Sequence, residues 1–275
     1  MPRRAQKRLI DAVVIAVMFV IAVVFLMPYV WMILNSLKDR VEIMKAKTFW
    51  PNEFTVKNYV VVFTQSPILF WFKNSVVVTV VNTLLVLFTS SIAGFVFAKY
   101  DFKGRNVLFM IVLATMMVPA QVTMIPSFLL IDRLYMYDTL AALIVPSMVS
   151  GFGIFLCKQF IEDIPDALCE AAVIDGASDL RVYSQIIIPL VRPALGALAI
   201  FTFLGKWNDY LGPLLYLSNP MNMTMPLALN FFSGRNTSDV GAIMAAAVLV
   251  TLPVTIVYLC LQKQFIKGIA MTGIK

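Results

Sequence analysis

A patterned polar insert interrupts this largely apolar chain near its middle, where residues 165–193 read PDALCEAAVIDGASDLRVYSQIIIPLVRP. Pro165 suits the first turn of a helix, because a backbone N–H there has no intrahelical partner. Gly176 suits a left-handed turn that ends that helix. Ser178 suits the N-cap of a second helix, in which apolar residues recur at helical spacing until Pro189 and Pro193 close it. The stretch therefore predicts two short helices joined by a glycine turn.

The composition on both sides of this insert is that of an integral membrane protein. Hydrophobic residues make up 60% of the chain and charged residues 13%, against about half and a quarter in a soluble domain. Histidine is absent, which removes the commonest general base and the commonest metal ligand. The cysteines Cys157, Cys169 and Cys260 lack metal-ligand spacing. We therefore expect no metal centre and no cofactor, and neither an intramembrane metalloprotease nor a histidine-dependent hydrolase.

Six segments are long and apolar enough to cross a membrane, which takes roughly 20 mostly apolar residues. In chain order they are Leu9–Leu34, Ser75–Ala98, Val107–Leu130, Thr139–Phe155, Pro193–Leu217 and Val240–Leu261. The first follows a basic start, as a signal peptide would, but its apolar run is too long and has no small-residue cleavage site. We therefore expect an all-α membrane protein with six transmembrane helices, in one domain that spans residues 1–275.

The distribution of basic residues predicts the orientation in the membrane, because cytoplasmic loops are enriched in Lys and Arg. The turn after the second span carries Lys99, Lys103 and Arg105, whereas the next turn carries Arg133 alone. This asymmetry predicts cytoplasmic N- and C-termini and places residues 165–193 in the cytoplasm. The basic residues lie mostly at the ends of spans, so the net charge of +7 indicates lipid headgroups rather than nucleic acid as the partner.

The insert resembles the EAA loop of the permease subunits of binding-protein-dependent ATP-binding-cassette (ABC) importers. In that family a Gly follows the Glu by six positions, an Ile follows ten positions later and a Pro three beyond that. Glu170, Gly176, Ile186 and Pro189 fit each step. The sequence departs from the pattern at Ile188, where the family usually has Leu.

This resemblance implies that a loop of about residues 158–192 docks in a cleft of an ATPase subunit and couples it to the spans. The residues it assigns to coupling are Glu170, Ala171, Ala172, Asp175, Gly176, Ile186 and Pro189. From the residues alone, two amphipathic helices lying at the membrane surface fit equally well. The chain contains no G-x-x-x-x-G-K-[ST] phosphate-binding motif. ATP hydrolysis would therefore belong to a separate partner, and the chain itself is not expected to be an enzyme.

Polar residues at membrane depth mark a second candidate site, since charges there are costly and usually face a bundle interior or a water-filled path. Lys206 and Asp209 are three residues apart and can pair on one helix face, an arrangement that also fits helix packing alone. The stretch Trp207-Asn208-Asp209-Tyr210 resembles a Trp-Asn-acidic-aromatic signature in the fifth span of carbohydrate-importer permeases. By that resemblance, Trp207 and Asn208 line the translocation path, where a ring stacks on a sugar beside an amide that bonds its hydroxyls.

Other polar residues within the spans are weaker candidates, because such groups often bond only to a neighbouring helix. They are Asn82, Thr83, Gln121 and Thr123. The segment Ser218–Asp239 is expected to be external, and its equivalent in maltose-type importers reaches into the solute-binding protein. The tail from Gln262 resembles the family's basic, glycine-containing ending, which contacts the ATPase, and departs from it at Thr272, where a glycine is usual.

With the spans, the resemblance implies the type I ABC importer permease architecture: six transmembrane helices with a cytoplasmic helix-turn-helix coupling loop, most like the second permease of the maltose type. Its function would be to move a sugar, oligosaccharide or related glycan across the bacterial cytoplasmic membrane by alternating access. Its partners would be an ATPase dimer, a second homologous permease, an extracytoplasmic solute-binding protein and the lipid bilayer. Two alternatives stay open. One is an ABC permease for glycerol phosphate, an amino acid or a peptide, and the other is an ion-coupled secondary transporter that uses Lys206 and Asp209.

Overall fold

The computed structural model describes residues 3–45, 48–234 and 239–272, and within these ranges the chain is helical, with no strand. In chain order the helices are α1 (Arg3–Ser36), α2 (Arg40–Lys45), α3 (Lys57–Gln65), α4 (Ile68–Lys99), α5 (Arg105–Met117), α6 (Ala120–Arg133), α7 (Ala141–Ile144), α8 (Gly151–Glu162), α9 (Asp166–Ile174), α10 (Asp179–Val182), α11 (Ile188–Leu190), α12 (Arg192–Trp207), α13 (Leu211–Tyr216), α14 (Met225–Gly234) and α15 (Val240–Thr272). Short 3₁₀ turns occur at Val145–Ser147 and Pro220–Asn222, and a π-helical turn occurs at Tyr183–Ile187. The all-α fold class predicted from the sequence is confirmed.

Three helices are individually long and apolar enough to cross a membrane, at Ile10–Ser36, Ile68–Lys99 and Val240–Cys260. Counting each of three sharply bent helix pairs as one span gives six in the described part of the chain. The pairs are Arg105–Met117 with Ala120–Arg133, Ala141–Ser147 with Gly151–Glu162, and Asp179–Leu190 with Arg192–Trp207, bent by 101°, 41° and 77°. The number of spans agrees with the prediction, whereas the third, fourth and fifth spans differ from it in form.

The third span, predicted as Val107–Leu130, is broken. α5 ends at Met117 and α6 begins at Ala120, with non-helical backbone at Val118 (ψ 117°) and Pro119 (ψ 133°). A proline pushes the preceding residue out of the helical region and cannot donate a helical hydrogen bond itself. Because apolar residues continue on both sides of the break, hydropathy alone predicts one straight helix.

The fourth span, predicted as Thr139–Phe155, is interrupted after Ser147 and resumes at Gly151. Ser150 is the N-cap of the second piece, and its side chain accepts a hydrogen bond from the backbone N–H of Gly153 at 3.1 Å. Such a cap satisfies one of the N–H groups that a helix leaves unpaired at its start. The span therefore consists of two short helices instead of one.

The fifth span, predicted as Pro193–Leu217, is also divided. α12 ends at Trp207, and three non-helical residues separate it from α13. Asp209 favours this break, because its carboxylate accepts a hydrogen bond from the backbone N–H of Gly212, in the first turn of α13, at 3.1 Å. The polar residues predicted to lie inside a continuous helix therefore lie at a helix end.

The chain divides into two compact units, formed by residues 1–68 with 229–252 and by residues 69–228 with 253–275. In the first unit, Asn58 of α3 closes the turn after α1. Its side-chain amide donates hydrogen bonds to the carbonyl oxygens of Ser36 and Lys38, each at 2.8 Å. A Cβ at Gly241 would lie 2.4 Å from Asn58 Oδ1, so this approach requires glycine.

The core of the second unit lies where α4 meets α8, α12 and the residues that follow Ser178. Its buried apolar side chains are Val86, Phe95, Cys157, Ile161, Val182, Ile187, Val191 and Leu198. Gly94 allows the close packing of α4 on α8, because a Cβ there would lie 2.5 Å from the Cβ of Cys157. The second half of the polar insert, after Ser178, is thus anchored in the core of this unit. Two helices that lay on the membrane surface would not be buried in this way.

The other end of α4 holds a loop in place. Trp71, Asn74 and Ser75 make four hydrogen bonds of 2.6 to 3.0 Å with backbone groups of residues 220–225. α4 is a single helix of 32 residues, so it connects this loop to the core beneath the insert without an internal break.

Asp138 fastens the same loop from another side. Its backbone is left-handed, with φ 59°, and its Oδ1 accepts hydrogen bonds from the backbone N–H groups of Ser218 and Asn219, each at 3.0 Å. Burial alone would raise the pKa of the Asp138 carboxyl, but these N–H donors outweigh burial and hold the pKa below its ordinary value. The carboxylate is therefore charged at neutral pH and stabilises the loop.

Candidate functional site

The first half of the predicted coupling segment forms as the sequence predicts. α9 begins at Asp166, with Pro165 as its N-cap residue, and the acidic side chain lies where the helix dipole favours it. The chain then reverses at Gly176, which has φ +80°. The N–H groups of Gly176 and of the next residue donate back to the carbonyls of Val173 and Ala172, which is a Schellman motif.

The second half differs from the prediction at Pro189. The helix that follows Ser178 continues through the π turn Tyr183–Ile187 into Ile188–Leu190, so Pro189 lies inside it and does not close it. A π turn alters the hydrogen-bond register, which accommodates a proline that has no N–H to donate. The helical segment ends at Leu190, and a bend of 77° leads into α12.

Four large apolar side chains of the insert are exposed, and we call this set the apolar face. Its members are Leu168, Val173, Ile174 and Leu180, and each of these side chains is about half exposed or more. Ile174 is 85% exposed and Leu180 is 73% exposed. Of the predicted coupling residues, Glu170, Ala171, Asp175 and Gly176 are exposed, whereas Ala172, Ile186 and Pro189 are half-buried. The predicted residues at the glycine turn are therefore accessible, and the later ones support it from beneath.

Both helices of the insert are tied to α4 by polar side chains. Lys99 Nζ donates to the carbonyl oxygen of Ile164 at 2.5 Å and to Asp166 Oδ1 at 2.6 Å. The Lys99 side chain is only 7% exposed. The hydroxyls of Tyr183 and Ser91 lie 2.7 Å apart and share a hydrogen bond. Movement of the insert is thus linked to the end of α4.

A groove of about 480 Å³ separates the insert from the end of α4, and Glu170 and Lys99 line it. Burial and a hydrogen bond with Asp179 raise the pKa of the Tyr100 phenol. Burial also raises the pKa of the Cys169 thiol, although the nearby Lys99 opposes the shift. Both groups are neutral at pH 7, so the carboxylates and the ammonium group determine the charge of this groove.

The pair of charges expected in the fifth span forms at the end of α12. Lys206 Nζ lies 3.8 Å from Asp209 Oδ2, which confirms the pairing predicted from the spacing. The separation is longer than a direct hydrogen bond. A Cβ at Gly212 would lie 2.8 Å from Asp209 Oδ2, so the absence of a side chain there leaves room for the carboxylate.

Trp207, which was expected to line the translocation path, is 1% exposed. Its ring stacks on Phe203 with a centroid distance of 6.0 Å and an interplanar angle of 9°, and it meets Phe72 edge-on at 6.0 Å. Such geometries are typical of aromatic packing in cores. The buried ring packs α12 against α4 and has no face open for stacking on a sugar in this structure.

The other members of the predicted signature take separate places. The Asn208 side chain donates to the carbonyl oxygen of Leu204 at 3.0 Å, which extends the hydrogen bonding at the end of α12. Tyr210 is half-buried against an apolar cluster of the second unit. Asp209 is the member of the signature that lines a cavity, the smaller of the two described next.

Two adjoining cavities of about 290 and 590 Å³ lie in the second unit, beside the breaks in the third, fourth and fifth spans. Thr123, Ser147 and Lys206 line both cavities, Asp209 lines the smaller one and Asn82 the larger one. Non-helical backbone at membrane depth is tolerated where it is buried in protein or faces a water-filled cavity. The cavities combine a mostly apolar lining with hydroxyls, the amides of Asn82 and Gln121 and one ion pair.

Part of the lining of these two cavities is predictable from the sequence. Asn82, Gln121 and Thr123 were weak candidates, and the fold brings them to the cavities with Lys206. Ser147 and Ser150 were not predicted. The available signal for them was their position beside Pro146, since a proline within a span marks a possible break where polar groups turn towards a cavity.

The part of the chain that the structure describes forms helices alone, with up to six apolar spans, cavities where three of them break, and a helical insert fastened to the core. This is the construction of a multi-pass membrane transport protein. Residues 88–271 match the family described as the binding-protein-dependent transport system inner membrane component. The chain belongs to this family of ABC transporter permeases, and it works as a translocation subunit together with a solute-binding protein.

Similar proteins agree with this assignment along almost the whole chain. The arabinooligosaccharides transport system permease protein AraQ of Bacillus subtilis is 34% identical over 93% of this chain and 92% of its own length. The lactose transport system permease protein LacG of Rhizobium radiobacter is 31% identical, and the match covers 96% of each chain. A chain of a bacterial ABC transporter involved in the import of the acidic polysaccharide alginate superposes with a TM-score of 0.85 over 94% of this chain and 98% of that chain, at 23% identity. The last likeness concerns the fold alone.

Proposed function

We propose that this chain is one permease subunit of an ABC importer that moves a sugar, oligosaccharide or related glycan across the bacterial cytoplasmic membrane. The observation that carries the proposal is the insert between Asp166 and Leu190, a compact helical projection with an open apolar face. Large apolar side chains that are exposed outside the membrane-spanning helices support a surface that another protein covers. We infer that the ATPase of the transporter binds this face.

The proposed docking mode combines apolar and charged contacts. Ile174 and Leu180 would enter a cleft of the ATPase, and Glu170, Ala171 and Asp175 would contact its rim. Gly176 supplies the left-handed turn that places the two helices side by side. Lys99 fixes the start of the insert to α4, so a rotation of the docked ATPase would be carried into the spans.

The remaining partners follow from the same mechanism. A second homologous permease would complete the path and receive the other ATPase subunit, and a solute-binding protein would deliver the substrate at the outer face. The surplus of basic residues beside α4 and α5 supports cytoplasmic N- and C-termini. ATP-driven closure of the ATPase pair would then switch the two permeases between inward- and outward-facing states, with the whole chain acting as a single permease domain.

Carbohydrate as the substrate class is supported by the relatives and by the cavities. AraQ and LacG are named as permeases for arabinooligosaccharides and lactose. The two cavities present the hydroxyls of Thr123 and Ser147 and the charged pair, which are groups that can exchange hydrogen bonds with sugar hydroxyls. Asn208 and Tyr210 flank this region, and the open state of the transporter would expose them to the path.

Affinity purification of the chain from its native membrane in a mild detergent tests the proposal, with mass spectrometry of the proteins that accompany it. We expect an ATPase with a Walker A motif and a second six-span permease. A charge-reversing Glu170→Lys variant should lose the ATPase, whereas Glu53→Lys, at an exposed position before α3 and outside the loop of residues 158–192, should retain it. Recovery of the chain alone, or only with copies of itself, would contradict the proposal and favour an ion-coupled transporter.

A further inference from the structure

The ion pair at the end of α12 is held open, and this geometry has a chemical consequence. Lys206 Nζ and Asp209 Oδ2 are 3.8 Å apart, whereas a direct charge-assisted hydrogen bond would bring them to about 2.7–2.9 Å. The other carboxylate oxygen, Oδ1, is occupied by the N–H of Gly212. The carboxylate is therefore positioned by the backbone of α13, and the ammonium group has donors left for another acceptor.

The surroundings of the pair make it available to a solute. Lys206 lines both cavities and Asp209 lines the smaller one, so the pair lies where the two cavities meet. Of the residues that line the cavities in the described part of the chain, these two alone carry charge. Beside them, Ser147 and Thr123 add hydroxyls. The side chain of Asn82 is fully buried, and its amide nitrogen donates to Ser147 Oγ at 2.8 Å while its Oδ1 has no hydrogen-bond partner among the described residues.

We propose that Lys206 and Asp209 together bind a hydroxyl of a neutral sugar and thereby select neutral over acidic glycans. This inference rests on the proposed function. A hydroxyl is both acceptor and donor, so one hydroxyl can accept from Lys206 and donate to Asp209. A substrate carboxylate only accepts; it would satisfy Lys206 but would meet the negative charge of Asp209 at close range. The pair has no net charge, so it gives an acidic glycan no net attraction.

The arrangement also explains why a charged pair is placed beside a path through the membrane. A site that is built to hydrogen-bond a hydroxyl discriminates strongly against a solute that lacks it, because the buried polar groups are then left unsatisfied. An isolated Lys or Asp at this depth would be costly, whereas the pair compensates its own charges when no sugar is present. The pair can therefore form hydrogen bonds with a sugar hydroxyl, and because it has no net charge it does not retain the sugar by electrostatic attraction.

The test uses the complete transporter, purified with its ATPase, second permease and binding protein and reconstituted into liposomes. The probes are labelled arabinotriose, lactose and diacetylchitobiose as neutral sugars and trigalacturonate as an acidic one. We expect uptake of at least one neutral probe, and uptake of trigalacturonate at least tenfold slower. Uptake of trigalacturonate at the same rate or faster would overturn the inference.

A double variant separates binding from packing. Lys206→Met with Asp209→Asn removes both charges, leaves no unpaired charge in the membrane, and keeps an oxygen that can accept from Gly212. We expect the complex to assemble and uptake of the neutral probe to fall by about tenfold or more, since a charge-assisted hydrogen bond is lost. A pair that served packing alone would tolerate this neutral replacement, so wild-type uptake by the double variant would overturn the inference.

A second variant moves the carboxylate without removing it. Gly212→Ala would place a Cβ 2.8 Å from Asp209 Oδ2 and so displace that oxygen from Lys206, and we expect it to reduce uptake of the neutral probe as well. Lys57→Met is the control, because Lys57 forms an ion pair with Asp39 at 3.7 Å, lies outside the loop of residues 158–192 and lines neither cavity. If the ATPase accompanies the chain but a glycerol phosphate, an amino acid or a peptide is transported and none of the four probes is, carbohydrate as the substrate class is wrong together with this inference. Normal uptake of sugar by all the variants contradicts the inference alone.

Discussion

At the scale of single residues, the turn at Gly176 is the most sensitive point of the insert. Its φ of +80° lies in the left-handed region, and a Cβ there would meet no atom within 4 Å, so the effect of a side chain is purely conformational. We predict that Gly176→Ala destabilises the turn by about 1–2 kcal/mol and changes the angle between α9 and the next helix. The amount of ATPase that co-purifies should fall, as measured by quantitative mass spectrometry.

Gly104 provides a matched control for this substitution. It also has a positive φ, of +89°, and open space around the position of a Cβ, but it precedes α5 and lies outside the insert. Gly104→Ala should carry a similar backbone cost and leave the ATPase bound. If the two variants retain the ATPase equally, the turn at Gly176 does not position the docking surface.

Trp207 is a second single residue with a testable role. The sequence predicts that it lines the translocation path, whereas in the structure it packs in the core. Because the ring is buried between Phe203 and Phe72, Trp207→Ala should lower the free energy of unfolding by about 3–5 kcal/mol. Trp207→Phe should recover most of that loss, since it keeps an aromatic ring in the same space. The measurement is chemical unfolding of the purified chain in mixed micelles. Full stability of Trp207→Ala together with lost uptake would instead support stacking on a sugar.

At the scale of elements, the attachment of the insert to α4 can be tested without touching the docking face. Lys99→Met removes the hydrogen bonds to Ile164 and Asp166, while the apolar face keeps its residues. We predict that the ATPase still binds but that fewer substrate molecules enter per ATP hydrolysed, because its movement is no longer carried fully into α4. The ratio of uptake to phosphate release in proteoliposomes measures this. An unchanged ratio would show that the apolar packing beneath the insert is a sufficient attachment.

The loop at residues 216–225 should loosen in acid. The pKa of Asp138 is held below its ordinary value in the folded protein, so its stabilising effect is present above the unfolded pKa of about 3.9. It is lost as the pH falls through the lower folded pKa. Hydrogen exchange should therefore show the amides of Ser218 and Asn219 losing protection in that range. Asp138→Asn should weaken protection at pH values above this range and remove the pH dependence. An identical acid response in this variant would contradict the assignment.

An element is predictable from the sequence when neighbouring residues determine its conformation, and it is not when distant residues do. The insert is predictable because its signals are local, with Gly176 at a left-handed turn and acidic residues at a helix start. The break at Pro119 and the π turn before Pro189 are not predictable from the sequence. The hydropathy is the same on both sides of them, and the backbone conformation depends on which residues pack nearby. The cavities are harder still. Asn82, Ser147 and Lys206 are far apart in the chain, and only the packing of broken spans brings them together.

At the scale of the whole molecule, the orientation in the membrane is the prediction to settle. Lys103 and Ser218 are both exposed and belong to loops at opposite ends of α4. In a cysteine-free background and intact cells, a membrane-impermeant maleimide should label Ser218→Cys, and it should label Lys103→Cys only after the membrane is permeabilised. This follows from the excess of basic residues expected on the cytoplasmic side. The reverse labelling pattern would place the insert outside and exclude docking of an ATPase.

The structure of α4 also has a consequence for transporters assembled from parts of different relatives. This helix of 32 residues would be about 48 Å long, and it is bonded at one end to residues 220–225 and at the other, through Lys99, to the start of the insert. An insert transplanted alone would lose its partners on the helix. A chimera made to accept a foreign ATPase should therefore exchange the insert together with the last three turns of α4, which include Ser91 and Lys99. The loop at residues 220–225 should be exchanged together with the first two turns.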